Sequence, residues 1–260
     1  KDKTNGVIIG GGILGLEAAW ALVNQGKKIT IIERSSYILR KQLNKTASEI
    51  LASLGKKAGI DFVFEKQLAK VKGHNDVSHI VLEDGHKIPA DFVIFSTGVR
   101  SNIECAKDLV DVNRGIIVDE YMQTSAEDIY AAGDVAEYQG QIYGIWPVAK
   151  EQGRIAGLNL SGIRTTYKEV LPSNFLRVFD KDIYSVGNPF NDRDIESIME
   201  KIEPNKNIYQ AVYIQNQTPV GAILLGNTKP ALKISKAIKS KTKLSINNYD
   251  MDFESFLKNI

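Results

Sequence analysis

Apolar and polar positions set out a strand–helix–strand order from the start of the chain. Val7-Ile8-Ile9 is a short apolar run ending in glycines. Residues 13–25 are rich in Leu, Ala, Glu and Trp, a helix-compatible stretch that Gly26 stops. Lys28-Ile29-Thr30-Ile31-Ile32-Glu33 is β-branched and reads as a second strand. Residues 44–58 place Ile50, Leu51 and Leu54 on one helical face, with a stop near Gly59, and residues 61–64 supply a third strand. Between Lys70 and Ile88 the period changes. His79-Ile80-Val81-Leu82 and Lys87-Ile88 flank Glu83-Asp84-Gly85, and an Asp-Gly pair between apolar runs predicts a hairpin within an antiparallel meander. Phe92–Phe95 returns as an apolar, buried strand that ends in Ser96-Thr97-Gly98. Residues 115–119 and 129–134 predict two further strands, and Pro147 opens a helix to about Leu160. Beyond Tyr167 come short strands at 175–179, 209–215 and 220–225, then a lysine-rich helix at 230–240. The fold class expected is α/β.

Composition narrows the chemistry. The chain has 260 residues, 43% hydrophobic and 25% charged, which excludes a disordered or fibrous protein. Its 33 Lys and Arg nearly balance 31 Asp and Glu, for a net charge of +2, which argues against a dedicated nucleic-acid binder. A single cysteine, Cys105, excludes an internal disulfide, a cysteine zinc site and a dithiol centre within these residues. His74, His79 and His86 fall in one short stretch without HExxH spacing, so no metal site is expected. No apolar run approaches the roughly 20 residues that span a bilayer, and no signal peptide is visible, so a cytoplasmic location and no membrane partner are expected. The chain opens at Lys1 rather than Met and reaches a strand almost at once, which points to an upstream segment lying outside it.

Gly10-Gly11-Gly12-Ile13-Leu14-Gly15 matches GxGxxG with a strand before it and a helix after it. Gly10 permits the tight turn, Gly12 lets backbone approach a diphosphate, and Gly15 lets the helix pack close to the strand. The diphosphate would rest on the helix N-terminus, where unpaired N–H groups favour negative charge. Glu33 lies 18 residues beyond Gly15, close to the spacing of about 20 expected for a ribose-binding acid. A carboxylate accepts from a free 2′-hydroxyl and repels a 2′-phosphate, so NAD(H) is expected over NADP(H). Arg34 could pair with such a phosphate; a solvated charge at the strand end is the reading preferred for it.

Three motifs together resemble the two-dinucleotide flavoprotein reductases of the pyridine nucleotide–disulfide oxidoreductase superfamily. They are Gly10–Gly15 with the trailing Leu16-Glu17, the crossover Ser96-Thr97-Gly98-Val99-Arg100-Ser101-Asn102, and Thr124-Ser125 followed by Ile129-Tyr130-Ala131-Ala132-Gly133-Asp134-Val135-Ala136. The resemblance covers about residues 5–165. It implies an NAD(H)-binding, Rossmann-like domain with the meander over 1–97, the second segment of a split FAD domain over 98–166, and a small α+β domain over 167–260. The first FAD segment, with its own diphosphate loop, would lie upstream. Both FAD and NAD are implied as cofactors. By carry-over, Glu17 lies close to the nicotinamide and is the catalytic candidate. Ile13 and Leu14 line the loop, Ile13 standing where many relatives carry a tyrosine over the flavin. Gly98 marks the crossover, and Gly133 with Asp134 meets the ribityl chain. The helix opened by Pro147 offers the N–H groups of Val148 and Ala149 to the flavin's N1–C2 edge.

No histidine follows His86, which removes the His-Pro acid–base pair of glutathione-reductase-like members. Leu171–Val178 and Ile183–Gly187 are more similar to the C-terminal domain of NADH:rubredoxin reductases and to the flavoprotein part of NADH-dependent nitrite reductases. The function implied is hydride transfer from NADH to FAD, with electrons passed to a small acceptor such as rubredoxin or a linked reductase module. Two alternatives stand: an NAD-binding fragment without flavin, inactive alone, and a flavin-free Rossmann dehydrogenase. Cys105 reads as a packed or surface thiol, the three histidines as solvated, Trp20 as core and Trp146 as a possible cofactor contact. Lys229, Lys233, Lys236, Lys239 and Lys243 form a basic helix face, read first as solvated and second as steering an acidic carrier.

Overall fold

The computed structural model describes residues 3–187, 195–244 and 252–260. It divides into two compact units, Lys1–Gly98 with Ser173–Ile260, and Val99–Pro172. In the first unit, β1 (Asn5–Ile9), α1 (Ile13–Val23), β2 (Lys28–Glu33), α2 (Lys45–Lys57) and β3 (Ile60–Phe64) follow the expected order. The meander is β4 (Leu68–Gly73), β5 (Val77–Leu82) and β6 (Lys87–Pro89), and Gly85 N–H closes its turn on Leu82 O at 2.9 Å. With β7 (Phe92–Phe95) the parallel sheet has the order β3-β2-β1-β7. Side chains alternate across it. Ile8, Ile29 and Ile31 face the helices with Leu16 and Leu51, while Val7, Ile9 and Ile32 face the meander through Ile80 and Leu82. The strand at 92–95 is not buried as expected. It forms the sheet edge, its first three residues are half-buried, and Phe95 is 62% exposed.

In the second unit, β8 (Ile116–Val118) pairs in parallel with β9 (Ala136–Tyr138), and α3 (Trp146–Leu160) follows. The strand expected at 129–134 forms only a bridge from Tyr130 to Gln123. Gly133, at φ +79°, turns the chain into one 3-10 turn, so ladder pairing starts after it, at Ala136.

The first unit resumes with β10 (Ser173–Val178), β11 (Lys181–Gly187), β12 (Ser197–Glu203), β13 (Ile208–Gln215), β14 (Thr218–Leu225), α4 (Ala231–Lys239) and α5 (Phe253–Asn259). The strands form an antiparallel sheet of order β10-β11-β14-β13-β12. Neither β11, β12 nor α5 was expected. Both strands mix charges among their apolar residues. On β12, an edge strand, Lys201 bonds Glu254 of α5 at 2.6 Å. One face of this sheet shares a buried cluster with α1 and α2, in which Leu176, Ile183, Tyr209 and Ile223 join Leu16, Ala19 and Leu51. Trp20, expected in the core, is half-buried there and sits edge-on to Phe179, with ring centroids 5.6 Å apart.

Two buried polar side chains make opposite predictions. The Ser48 hydroxyl in α2 is fully buried and has no hydrogen-bond partner among the described residues. Ser48→Ala removes an unpaired polar group and adds helix propensity, so chemical denaturation should show a gain of about 1 kcal/mol. Glu137 on β9 is 3% exposed and accepts from Gly115 N, Arg114 N and Asn113 Nδ2, each at 2.9 Å. Burial pushes its carboxyl up, but these bonds outweigh that and hold it below the ordinary carboxylate value. A lowered folded value means stability that is present above the unfolded pKa of about 4.3 and lost as pH falls through the folded one. Glu137→Gln should therefore destabilise at pH 7, and the gap from wild type should close on acidification below about pH 4.3. A gap that stays constant with pH would remove the carboxylate's charge from the account.

Candidate functional site

The register of the parallel sheet sets the first candidate site. Ile9 pairs with Ile32, so the chain leaving β1 runs beside the end of β2. Gly10 donates its N–H to Ile32 O at 2.8 Å and turns at φ +110°. A Cβ there would stand 2.2 Å from Ser96 O, and one on Gly15 would stand 2.1 Å from Gly10 O. Both glycines are thus required by close backbone approach. Gly12 differs, because nothing lies within 4 Å of where its Cβ would be. It caps α1, whose first turn has no acidic residue and no side-chain cap. The open N–H groups there, with free space in front of Gly12, fit a diphosphate.

Glu33 reaches back to this loop. Its Oε2 accepts from Gly11 N and its Oε1 from Ser35 N, both at 2.8 Å. A carboxylate offers about four acceptor sites, so lone pairs remain for ribose hydroxyls. Gly11 O in turn accepts from Leu39 N at 3.0 Å. Arg34 is exposed beside Glu33 and makes no ion pair among the described residues. Ile13 is half-buried, whereas Leu14 and Glu17 are exposed on the first two turns of α1. Gly98 is exposed at φ +90°, where the first unit ends.

The second candidate site lies within the other unit. Gly133 N donates to Gln152 Oε1 at 2.8 Å, and Gln152 is buried in α3. Asp134 is exposed, and its backbone O accepts from Ser101 Oγ at 2.6 Å. A Cβ on Gly133 would come within 3.4 Å of the Ala149 Cβ, so the 3-10 turn packs on the first turn of α3. That helix start carries no acidic residue and no side-chain cap, and Pro147 has no N–H to leave unpaired. Ala149 donates its N–H to Ile145 O at 3.1 Å, so this N–H, expected to face a flavin, is instead paired within the first turn of the helix. Val148 is buried there. The exposed Asp134 carboxylate and the positive helix end fit a hydroxylated, electron-rich ligand. Trp146 is 80% exposed, and Cys105 is an exposed free thiol. His74 and His86 are exposed and His79 half-exposed, and no metal-ligand cluster exists among the described residues. The site residue that sequence reasoning missed is Gln152. Its signal is a polar side chain within the apolar stripe Val148, Ile155, Ala156.

Known proteins match this arrangement part by part. Residues 1–153 fit the family model for pyridine nucleotide-disulphide oxidoreductases, and residues 172–242 fit that for the rubredoxin NAD+ reductase C-terminal domain. A nitrite reductase [NAD(P)H] of Bacillus subtilis is 32% identical over 247 residues, 94% of this chain and 31% of that protein. An NADH-rubredoxin oxidoreductase of Clostridium acetobutylicum is 32% identical over 241 residues, 92% of this chain and 59% of that protein. The crystal structure of the NADH:rubredoxin oxidoreductase from Clostridium acetobutylicum superposes with a TM-score of 0.77 at 30% identity, covering 98% of this chain and 63% of that one. The chain thus spans between 31% and 59% of these two sequence relatives. With a family match over residues 1–153, more than half of the chain and including the glycine loop and the Gly133–Asp134 turn, the chain belongs to the pyridine nucleotide-disulphide oxidoreductase family.

Proposed function

We propose that this chain is the NAD(H)-binding and second flavin-contacting part of an FAD-dependent NADH oxidoreductase that feeds a small electron carrier. Residues 1–97 would hold the dinucleotide, 98–166 would complete the flavin site, and 167–260 would form the C-terminal domain. The observation that carries the reading is the open Gly12 cradle with Glu33 bonded to the loop beside it. When bound, the two cofactors supply hydride transfer between nicotinamide and flavin. The protein's part is to bind and orient. The first-turn N–H groups of α1 would hold the diphosphate, and Glu33 would accept from the adenosine ribose. Glu17, exposed on the second turn of α1, would lie near the nicotinamide. Asp134 would accept from ribityl hydroxyls, and the positive end of α3 would stabilise negative charge on the flavin. The names of the relatives carry NAD(P)H or NADH, and one of them carries rubredoxin, which supports this reading.

Fluorescence titration of the purified chain tests the nucleotide site. NADH should bind more tightly than NADPH, because Glu33 repels a 2′-phosphate. Gly12→Asp should weaken NADH binding about tenfold or more without unfolding the chain, since the added carboxylate meets the diphosphate rather than protein. NADPH binding as tight as NADH would transfer the specificity to Arg34.

The acceptor reading is tested at α4. Lys236 and Lys239 are exposed there, while Lys233 is tied to Leu257 O at 2.5 Å. With a net charge of only +2, steering of an acidic carrier has to come from such a local cluster, acting within a Debye length of about 8 Å at physiological salt. In the flavin-loaded enzyme, Lys236→Ser with Lys239→Ser should lower the second-order rate of carrier reduction at low salt and flatten its salt dependence. NADH-to-dye reduction should not change. An unchanged salt slope would leave these lysines as a solvated face.

A further inference from the structure

Residues 34–44 run from the end of β2 to the cap of α2, and they meet the glycine loop at one end and the five-stranded sheet at the other. At the loop, a Cβ on Gly11 would stand 2.8 Å from Ile38 Cγ2, and Leu39 donates its N–H to Gly11 O at 3.0 Å. Leu39 is buried at φ +52°, a left-handed backbone that leucine keeps only where its surroundings hold it. Leu39 O accepts the N–H groups of Gln42 and Leu43, at 2.7 and 2.8 Å, and this tight turn delivers Asn44.

Asn44 does two things. Its Oδ1 accepts from Ala47 N at 3.0 Å and caps α2. A serine would serve that role as well. Its Nδ2 donates to the hydroxyls of Tyr209 and Tyr213 on β13, the latter at 3.1 Å, and Tyr209 passes its own proton bond on to Glu200. Burial pushes the Tyr213 hydroxyl up to about 12, so it stays protonated. The amide donors of Asn44 thus tie the connector to a sheet more than 160 residues further along the chain.

We propose that Tyr209 and Tyr213 are positioning residues for dinucleotide binding, holding Gly11 in its binding shape through Asn44 and the left-handed turn at Leu39. The inference rests on the nucleotide reading of the glycine loop. If the tyrosine bonds are lost, the turn samples other conformations, and only the fraction retaining it presents the loop. The apparent affinity falls by that fraction.

The test uses the whole 260-residue chain, NADH as the probe, and hydrogen exchange at the Leu39 amide as a second readout. Tyr213→Phe keeps the ring and removes the hydroxyl, and Asn44→Ser keeps the cap and removes the two amide N–H donors that reach the tyrosines. Ile223→Val is the control, because Ile223 is buried in the same cluster and carries no polar group. Both test variants should raise the NADH Kd about threefold or more, the scale of one lost hydrogen bond, and should speed exchange at Leu39. The control should lower the unfolding midpoint and leave Kd and Leu39 exchange as they were. A Kd within about twofold of wild type in both test variants, or an equal rise in the control, overturns the positioning role while leaving the nucleotide site intact. A wild-type chain that binds no NADH overturns the nucleotide reading, and the positioning role with it.

Discussion

The bond from Gly11 N–H to the Glu33 carboxylate is the constraint on which the rest of the proposed nucleotide site depends. It exists because β1 and β2 run parallel in a register that brings their C-terminal ends side by side. A hydrogen bond to a charged group contributes about 1.5–3 kcal/mol, which offsets the cost of about 1–2 kcal/mol for ordering Gly11 itself. Gly11 is then held at both polar groups, since its O accepts from Leu39. Gly10 and Gly15 are fixed by close backbone approach, so Gly12 is the loop glycine left facing open space. The same carboxylate therefore shapes the loop and keeps lone pairs open for the ribose proposed to bind there.

The first five elements were legible because each carries its own period: β-branched runs for the strands, an apolar stripe for α2, and glycine just past each helix. What depended on distant partners was not. Phe92–Phe95 reads as a strand from its residues, but its exposure follows from lying at the edge of the order β3-β2-β1-β7, which no local pattern encodes. Ile129–Ala132 has strand composition, yet the turn at Gly133 defers pairing to Ala136. β12 carries two glutamates and a lysine in seven residues, and it becomes a strand through pairing with β13 and the contact of Lys201 with α5.

The site divides in the same way. Gly10, Gly12, Gly15 and Glu33 were singled out as candidates by their spacing within one strand–helix–strand unit. Gln152 was not, because its meaning lies in Gly133, 19 residues earlier, and Asn44 takes its second role from tyrosines 165 and 169 residues later. A polar residue on a buried face signals only that a partner exists; which partner is a property of the assembled fold.

Side-chain oxygens receiving backbone N–H groups recur as the fold's way of fixing its turns, and at Glu137, Glu33 and Gln152 the type of oxygen matches its burial and the number of donors that reach it. Glu137 collects two backbone N–H groups and one amide, enough to keep a buried carboxylate charged. Glu33 collects two and is only half-buried, so solvent or a ribose can supply the rest. At position 152 a single N–H, from Gly133, reaches the side-chain oxygen. A carboxylate buried there with one donor would be costly, because its remaining lone pairs would go unmet. The neutral amide of Gln152 satisfies Gly133 at lower cost, and it adds no negative charge beneath the start of α3, whose positive end would otherwise be spent on a protein group instead of a ligand.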